Sequence, residues 1–214
     1  MSVGPALRDD VGVLGRALAA LAPQGLLVGC RRIETGDAVH ILPREGETIQ
    51  SRMLSGRDAS GAGRLIAHRL LQQLGCEDVA ILRGKAGEPT WPAGFVGSIA
   101  HDDTTAIAVV GRIETIRSVG VDIELATPLP LDLEPVVVTP RDRLEDCDPV
   151  LASKIAFVIK EAAYKASFPL DGEVLGFDDI TVDVSAAEAI VANGRRFSVR
   201  LGVSTHVMAL AFAT

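Results

Sequence analysis

The sequence predicts an α+β fold in two halves, each made of strands and one long helix. Three observations lead there. Alternating or short apolar runs recur near 26–30, 96–99, 105–110, 119–123, 180–184 and 197–212, as strands require. Two longer stretches, about 58–74 and 149–167, carry apolar residues at helical spacing. One of these helices falls in each half, although no convincing internal sequence repeat accompanies them.

Taken in order, Val11, Leu14, Leu18 and Leu21 give a helix over about 8–21, which Pro23 and Gly25 end. Residues 26–30 and 38–42 read as a strand pair around Thr35-Gly36-Asp37. The second helix buries Leu65, Ile66, Leu70 and Leu74, with Gly75 as its C-cap. A short strand is predicted over 79–82, and the Gly- and Pro-dense stretch 84–94 is read as loop. Asp148 suits an N-cap and Pro149 a first helical position, so the last long helix starts there and stops at Phe168-Pro169. The halves are expected to divide at 1–117 and 118–214.

Bulk properties exclude several classes. At 214 residues the chain can bury a sizeable core, and 48% hydrophobic residues argue against disorder. No apolar run is long enough to span a bilayer, and the first ten residues are too polar for a signal peptide. Cys30, Cys76 and Cys147 are odd in number and unclustered, which fits reduced thiols and a cytoplasmic location rather than a disulfide framework or zinc site. A net charge of −7 argues against a general nucleic-acid binder. Any anionic ligand must therefore be met by a local basic patch, since charges beyond about 8 Å are screened at physiological salt.

The chemistry concentrates in two segments. In Gly120-Val121-Asp122-Ile123-Glu124, a strand puts Asp122 and Glu124 on one face and Val121 and Ile123 on the other. In Phe157-Val158-Ile159-Lys160-Glu161-Ala162-Ala163-Tyr164-Lys165-Ala166, a helix stacks Phe157, Glu161 and Lys165 on one stripe. Taken singly, the first is the wet side of a strand and the second a solvated helix face. Packed together they converge three carboxylates with a lysine, the requirement of a hard divalent cation plus a phosphate ester. Asp122, Glu124 and Glu161 are thus candidate Mg²⁺ ligands, and Lys165 a candidate phosphate partner. Lys160 is a second cation there, although it lies ~100° round the helix from Glu161. Arg52 and Arg57 are further phosphate candidates, because guanidinium offers paired donors. The glycine-rich run 56–63 is no nucleotide loop, since the closing Lys-Ser/Thr is absent, and its small residues more simply permit close helix packing.

These two segments resemble the signature motifs of the 4′-phosphopantetheinyl transferases of the Sfp type. Upstream, Trp91-Pro92-Ala93-Gly94 and Gly97-Ser98-Ile99-Ala100-His101 are similar to the branch containing enterobactin-synthetase component D, as is the Arg-bearing segment with Arg52 and Gly56-Arg57. Four separated blocks occur in order over about residues 50–170. The resemblance implies two similar halves related by a pseudo-two-fold axis, with the active site in the cleft between them. It implies transfer of 4′-phosphopantetheine from coenzyme A to a serine of an acyl, peptidyl or aryl carrier protein, releasing 3′,5′-ADP with Mg²⁺, by a monomer, in siderophore or secondary-metabolite assembly. It assigns Arg52, Arg57, Pro89, His101, Lys160 and Lys165 to coenzyme A. Glu161, Lys165 and Asp122 become the catalytic set, with Glu161 a ligand, a base (directly or through a water), or both. Two departures stand out: Ala100 replaces a usual hydroxyl residue before His101, and Glu88 stands where a lysine is usual before Pro89. Two other classes compete. One is a non-catalytic module that binds coenzyme A or carrier protein. The other is a metal phosphohydrolase of the HD type built on His101-Asp102, although such sites sit on helices and these residues lie between strand-like segments.

Overall fold

The computed structural model describes residues 6–49, 53–77 and 79–214. The first half contains α1 (Ala6–Leu21), β1 (Leu26–Arg32), the single-turn α2 (Pro43–Gly46), α3 (Leu54–Gln73), the short β2 (Leu82–Arg83) and β3 (Pro89–Thr90), then β4 (Phe95–His101) and β5 (Thr105–Arg112). The second contains β6 (Ser118–Leu125), the single-turn α4 (Glu134–Val137), α5 (Ala152–Asp171), β7 (Ile180–Asp183), β8 (Glu188–Val191), β9 (Arg196–Val203) and β10 (His206–Ala213). A three-stranded antiparallel sheet of order β1-β5-β4 packs on α3, and a five-stranded antiparallel sheet of order β6-β10-β9-β8-β7 packs on α5.

Strand alternation explains how the halves join. On β5, Ala106, Ala108 and Val110 meet Ile66, Ala67, Leu70 and Leu71 of α3. The intervening Ile107 and Val109 enter a second core with Leu14 and Leu18 of α1, Val119, Val121 and Ile123 of β6, and Met208, Leu210 and Phe212 of β10. The opposite face of β10, Val207, Ala209 and Ala211, packs on Ile155, Val158, Ile159 and Ala162 of α5. One apolar core therefore lies between the two sheets, and each long helix covers an outer face. The edge strands β4 and β6 are tied directly, with the Val121 N–H donating to Ser98 Oγ at 3.1 Å.

Several element expectations shift. The predicted strand at 38–42 is a 3₁₀ turn over Asp37–His40. Asp58 accepts hydrogen bonds from Gly36 N at 3.2 Å and Ala38 N at 3.0 Å, which fold the turn onto α3. Gly61 permits that approach, because a Cβ there would stand 2.0 Å from the Asp37 carbonyl oxygen. The predicted strand at 79–82 is displaced to Leu82–Arg83, which pairs with Pro89–Thr90 inside the stretch expected to be loop. Asp148 caps a turn ahead of α5, accepting from Val150 N, while Pro169 sits within the final helical turn.

A second tie between the halves joins the β4–β5 turn to β10. Asp102 Oδ2 lies 2.8 Å from His206 Nε2, and Oδ1 accepts the N–H groups of Thr104 and Thr105 at 2.7 Å each. Burial raises the Asp102 carboxyl, but His206 and the two N–H groups outweigh it and hold the group at about 2. A carboxyl near 3.9 when unfolded then stabilises the fold above about pH 4, a contribution lost as pH falls through 2, worth about 2.5 kcal/mol. Asp102→Asn is expected to remove that contribution at neutral pH and to flatten the acid limb of stability. Urea unfolding at pH 7 and pH 3 checks it, and equal losses at both values would contradict the assignment.

Candidate functional site

The site grows from the packing of α5 on β6. Val121 and Ile123 are fully buried in the inter-sheet core, so Asp122 and Glu124 turn to the helix side. Gly120 sets the spacing. A Cβ there would lie 1.9 Å from the Ala162 carbonyl oxygen and 2.6 Å from Ala166 N, so only the bare backbone fits beneath α5. Ser118 Oγ donates to the Ala166 carbonyl one step along the same contact. Helical spacing then brings Glu161 and Lys165 over Asp122.

Lys165 Nζ stands 2.6 Å from Asp122 Oδ1, and Asp122 is only 6% exposed. Its second oxygen, Oδ2, is buried without a hydrogen-bond partner among the described residues. Burial raises the Asp122 carboxyl against the opposing pull of Lys165, the Ile123 N–H and His101. Glu161 is raised as well, by burial first and then by the charge of Asp122, with Lys165 opposing and Glu124 adding. Glu161 thus feels the charges of both Asp122 and Glu124. The three carboxylates do not stand as a finished ligand set: among the described residues no three acidic, histidine or cysteine side chains are placed to hold an ion. Lysines take two of them, since Lys154 Nζ lies 3.4 Å from Glu124 Oε2 and 5.7 Å from the centre of the Phe157 ring. The donors nonetheless fit Mg²⁺. Carboxylate oxygens are its preferred ligands, and a buried carboxylate oxygen with no partner is costly unless a cation or donor meets it.

Beside this cluster runs a cleft of about 200 Å³ between the halves, lined by Gly87, Glu88, Pro89 and Trp91 from the β2–β3 hairpin, Ser98 and Ile99 of β4, and Tyr164, Lys165 and Phe168 of α5. Lys165 thus borders both the carboxylates and the cleft. His101 ends β4, is exposed, and stands near enough for its charge to act on Asp122. Pro89 lies on the cleft wall. Glu88 instead turns back to accept the Ala86 N–H at 3.0 Å. Arg57 is half-buried in the first turn of α3, outside the residues lining the cleft. Arg52 lies outside the described residues. The strand setting of His101, and the engagement of Asp102 with His206, fit poorly with an HD-type centre.

Lys160 departs from its expected place on phosphate. Its side chain is fully buried and Nζ donates to Val137 O at 2.8 Å, Asp142 Oδ2 at 2.7 Å and Phe177 O at 2.9 Å, which uses all three N–H groups. Burial lowers the ammonium and Asp142 works against that. Asp142 also accepts from Thr139 N and Val182 N, so the pair pins the loop before α5 to both the helix and β7. Lys160→Met is expected to cost about 3–5 kcal/mol by stranding the Asp142 charge. Chemical denaturation checks this, and a loss under about 1 kcal/mol would return Lys160 to the list of surface cations.

Sequence reasoning missed Asp142, Lys154 and the placement of Tyr164. Asp142 sits in an aperiodic stretch with no signal. Lys154 precedes Glu161 by two helical turns on the same stripe, a spacing that could have flagged it. Tyr164 lines the cleft, near Glu161 and Glu88, whose charges add to burial in raising its phenol.

Comparison with known proteins adds a separate line. Residues 44–111 match the 4′-phosphopantetheinyl transferase N-terminal domain. The chain is 39% identical over 142 residues to the 4′-phosphopantetheinyl transferase PptT of Mycobacterium tuberculosis, covering 64% of this chain and 63% of that protein. It is 38% identical over 143 residues to the 4′-phosphopantetheinyl transferase Npt of Nocardia iowensis, covering 64% of each. Enterobactin synthase component D of Escherichia coli is 39% identical over 112 residues, covering 50% of this chain and 52% of that protein. The match thus spans somewhat under two thirds of the length of the first two relatives and about half of the third.

Proposed function

We propose, from the premise that the chain belongs to the 4′-phosphopantetheinyl transferase family, that it moves 4′-phosphopantetheine from coenzyme A to a carrier-protein serine. The observation that carries this reading is the meeting of Asp122 and Glu161 with Lys165, which itself forms part of the wall of a cleft between the two halves. Residues 1–117 supply the nucleotide-side contacts and residues 118–214 the acidic cluster and the Lys-Glu helix.

In the reaction, the serine oxygen bonds to the phosphorus next to pantetheine and the pyrophosphate P–O bond breaks, so 3′,5′-ADP leaves with the electron pair. Asp122, Glu124 and Glu161 would hold Mg²⁺, which when bound neutralises pyrophosphate oxygens. Lys165 and His101 stabilise the negative charge that shifts onto the leaving group. Glu161, its carboxyl raised by burial and by Asp122, is the acceptor for the serine proton, directly or through a water. Arg52 and Arg57 are the proposed guanidinium partners of the coenzyme A phosphates, and Pro89 and Trp91, which line the cleft, are assigned to its nucleotide side. Lys160 keeps the helix in place instead of binding phosphate. Carriers of siderophore or secondary-metabolite assembly are the substrate class favoured by the likeness to enterobactin synthase component D.

Chromatographic detection of 3′,5′-ADP tests this reading. Release that requires coenzyme A, Mg²⁺ and an apo carrier protein together is the expected result. Nucleotide release without carrier would mean a hydrolase, and no release with any carrier would leave a binding module.

A further inference from the structure

We propose that Lys165 is an exchangeable counter-ion, which occupies Asp122 in the free protein and transfers to phosphate on binding, so that cation and nucleotide each promote binding of the other. The inference rests on the functional reading above and adds a coupling that the reading does not require.

Three lysines of α5 meet carboxylates, and their settings differ. Lys160 is locked by three hydrogen bonds with no side-chain exposure. Lys154 is nearly buried against Glu124 and Phe157. Lys165 has one hydrogen bond among the described residues, to Asp122 Oδ1 at 2.6 Å, its side chain is 29% exposed, and it forms part of the cleft wall. Of the three it alone can leave its partner without crossing protein.

Asp122 faces two ways. Oδ1 holds the ammonium, whereas Oδ2 is buried and without a hydrogen-bond partner among the described residues, in a side chain more than nine-tenths buried. A divalent cation approaching Asp122 meets a like charge already at the carboxylate, which weakens its binding. A phosphate in the cleft draws the ammonium away and uncovers the carboxylate. The reverse also holds: once a cation shares Asp122, Lys165 is freed towards the phosphate. Because both ligands favour the same position of one side chain, with Lys165 away from Asp122, each raises the affinity of the other by the same factor.

Mn²⁺ binding followed by electron paramagnetic resonance, with and without 3′,5′-ADP, tests this without any turnover. For the unmodified protein, nucleotide should tighten Mn²⁺ by about fivefold or more. Lys165→Met should bind Mn²⁺ more tightly than the unmodified protein when nucleotide is absent, and should lose most of the nucleotide-dependent gain. Lys165→Arg, which keeps the charge, should retain the gain. Equal Mn²⁺ affinity of the unmodified protein and Lys165→Met without nucleotide would overturn the exchange while leaving the cation site standing. No Mn²⁺ binding by any of the three, with or without nucleotide, would overturn both the exchange and the functional reading beneath it.

Discussion

Asp122→Asn is expected to cut carrier modification by about 10²–10³-fold, the usual cost of removing one preorganised charge at a reacting centre, while thermal stability holds or rises. The second half of that expectation is the informative one. Burial raises the Asp122 carboxyl above its ordinary range despite Lys165, so the ionised group is less favourable in the folded protein than in the unfolded one. At neutral pH this is a destabilising contribution, and the neutral amide relieves it. Lys165, 29% exposed, can turn to water when its partner goes. Activity and melting temperature should therefore separate. Parallel loss of both would mean that Asp122 supports the fold rather than the reaction.

The other large effect is expected from Gly120→Ala. The added methyl would meet backbone atoms of α5, the Ala162 carbonyl oxygen at 1.9 Å and Ala166 N at 2.6 Å, and neither can rotate away. The helix must move off β6, at a cost of about 1–3 kcal/mol or more for overpacking. Since Glu161 and Lys165 ride on that helix, their registry with Asp122 changes too. Activity should fall well beyond what the folded fraction accounts for, as thermal melts and transfer assays on the same preparation would show. Full activity per folded molecule would mean that the strand–helix spacing is not what assembles the site.

Both predictions concern residues visible in the sequence, and their legibility has a physical reason. The strand period puts Asp122 and Glu124 together, the helix period puts Glu161 and Lys165 together, and local periodicity is what a sequence reports directly. The central strands and the two long helices were readable on the same ground. What escaped depends on distant partners. The segment 38–42 has strand-like composition, but Asp58 and the bare Cα of Gly61 fold the chain there into a tight turn. Lys160 resembles any cation beside a site until Asp142, in an aperiodic loop, is found to hold it. Lys154 shares the helical stripe of Glu161, but its pairing with Glu124 is set by the packing of α5 on β6.

The most direct test of phosphopantetheinyl transfer is the intact mass of a purified apo carrier protein after incubation with this protein, coenzyme A and Mg²⁺. The expected result is a gain of one phosphopantetheine, abolished by EDTA and strongly slowed by Asp122→Asn. An unchanged carrier mass across acyl, peptidyl and aryl carriers, with the protein folded and coenzyme A bound, would contradict it.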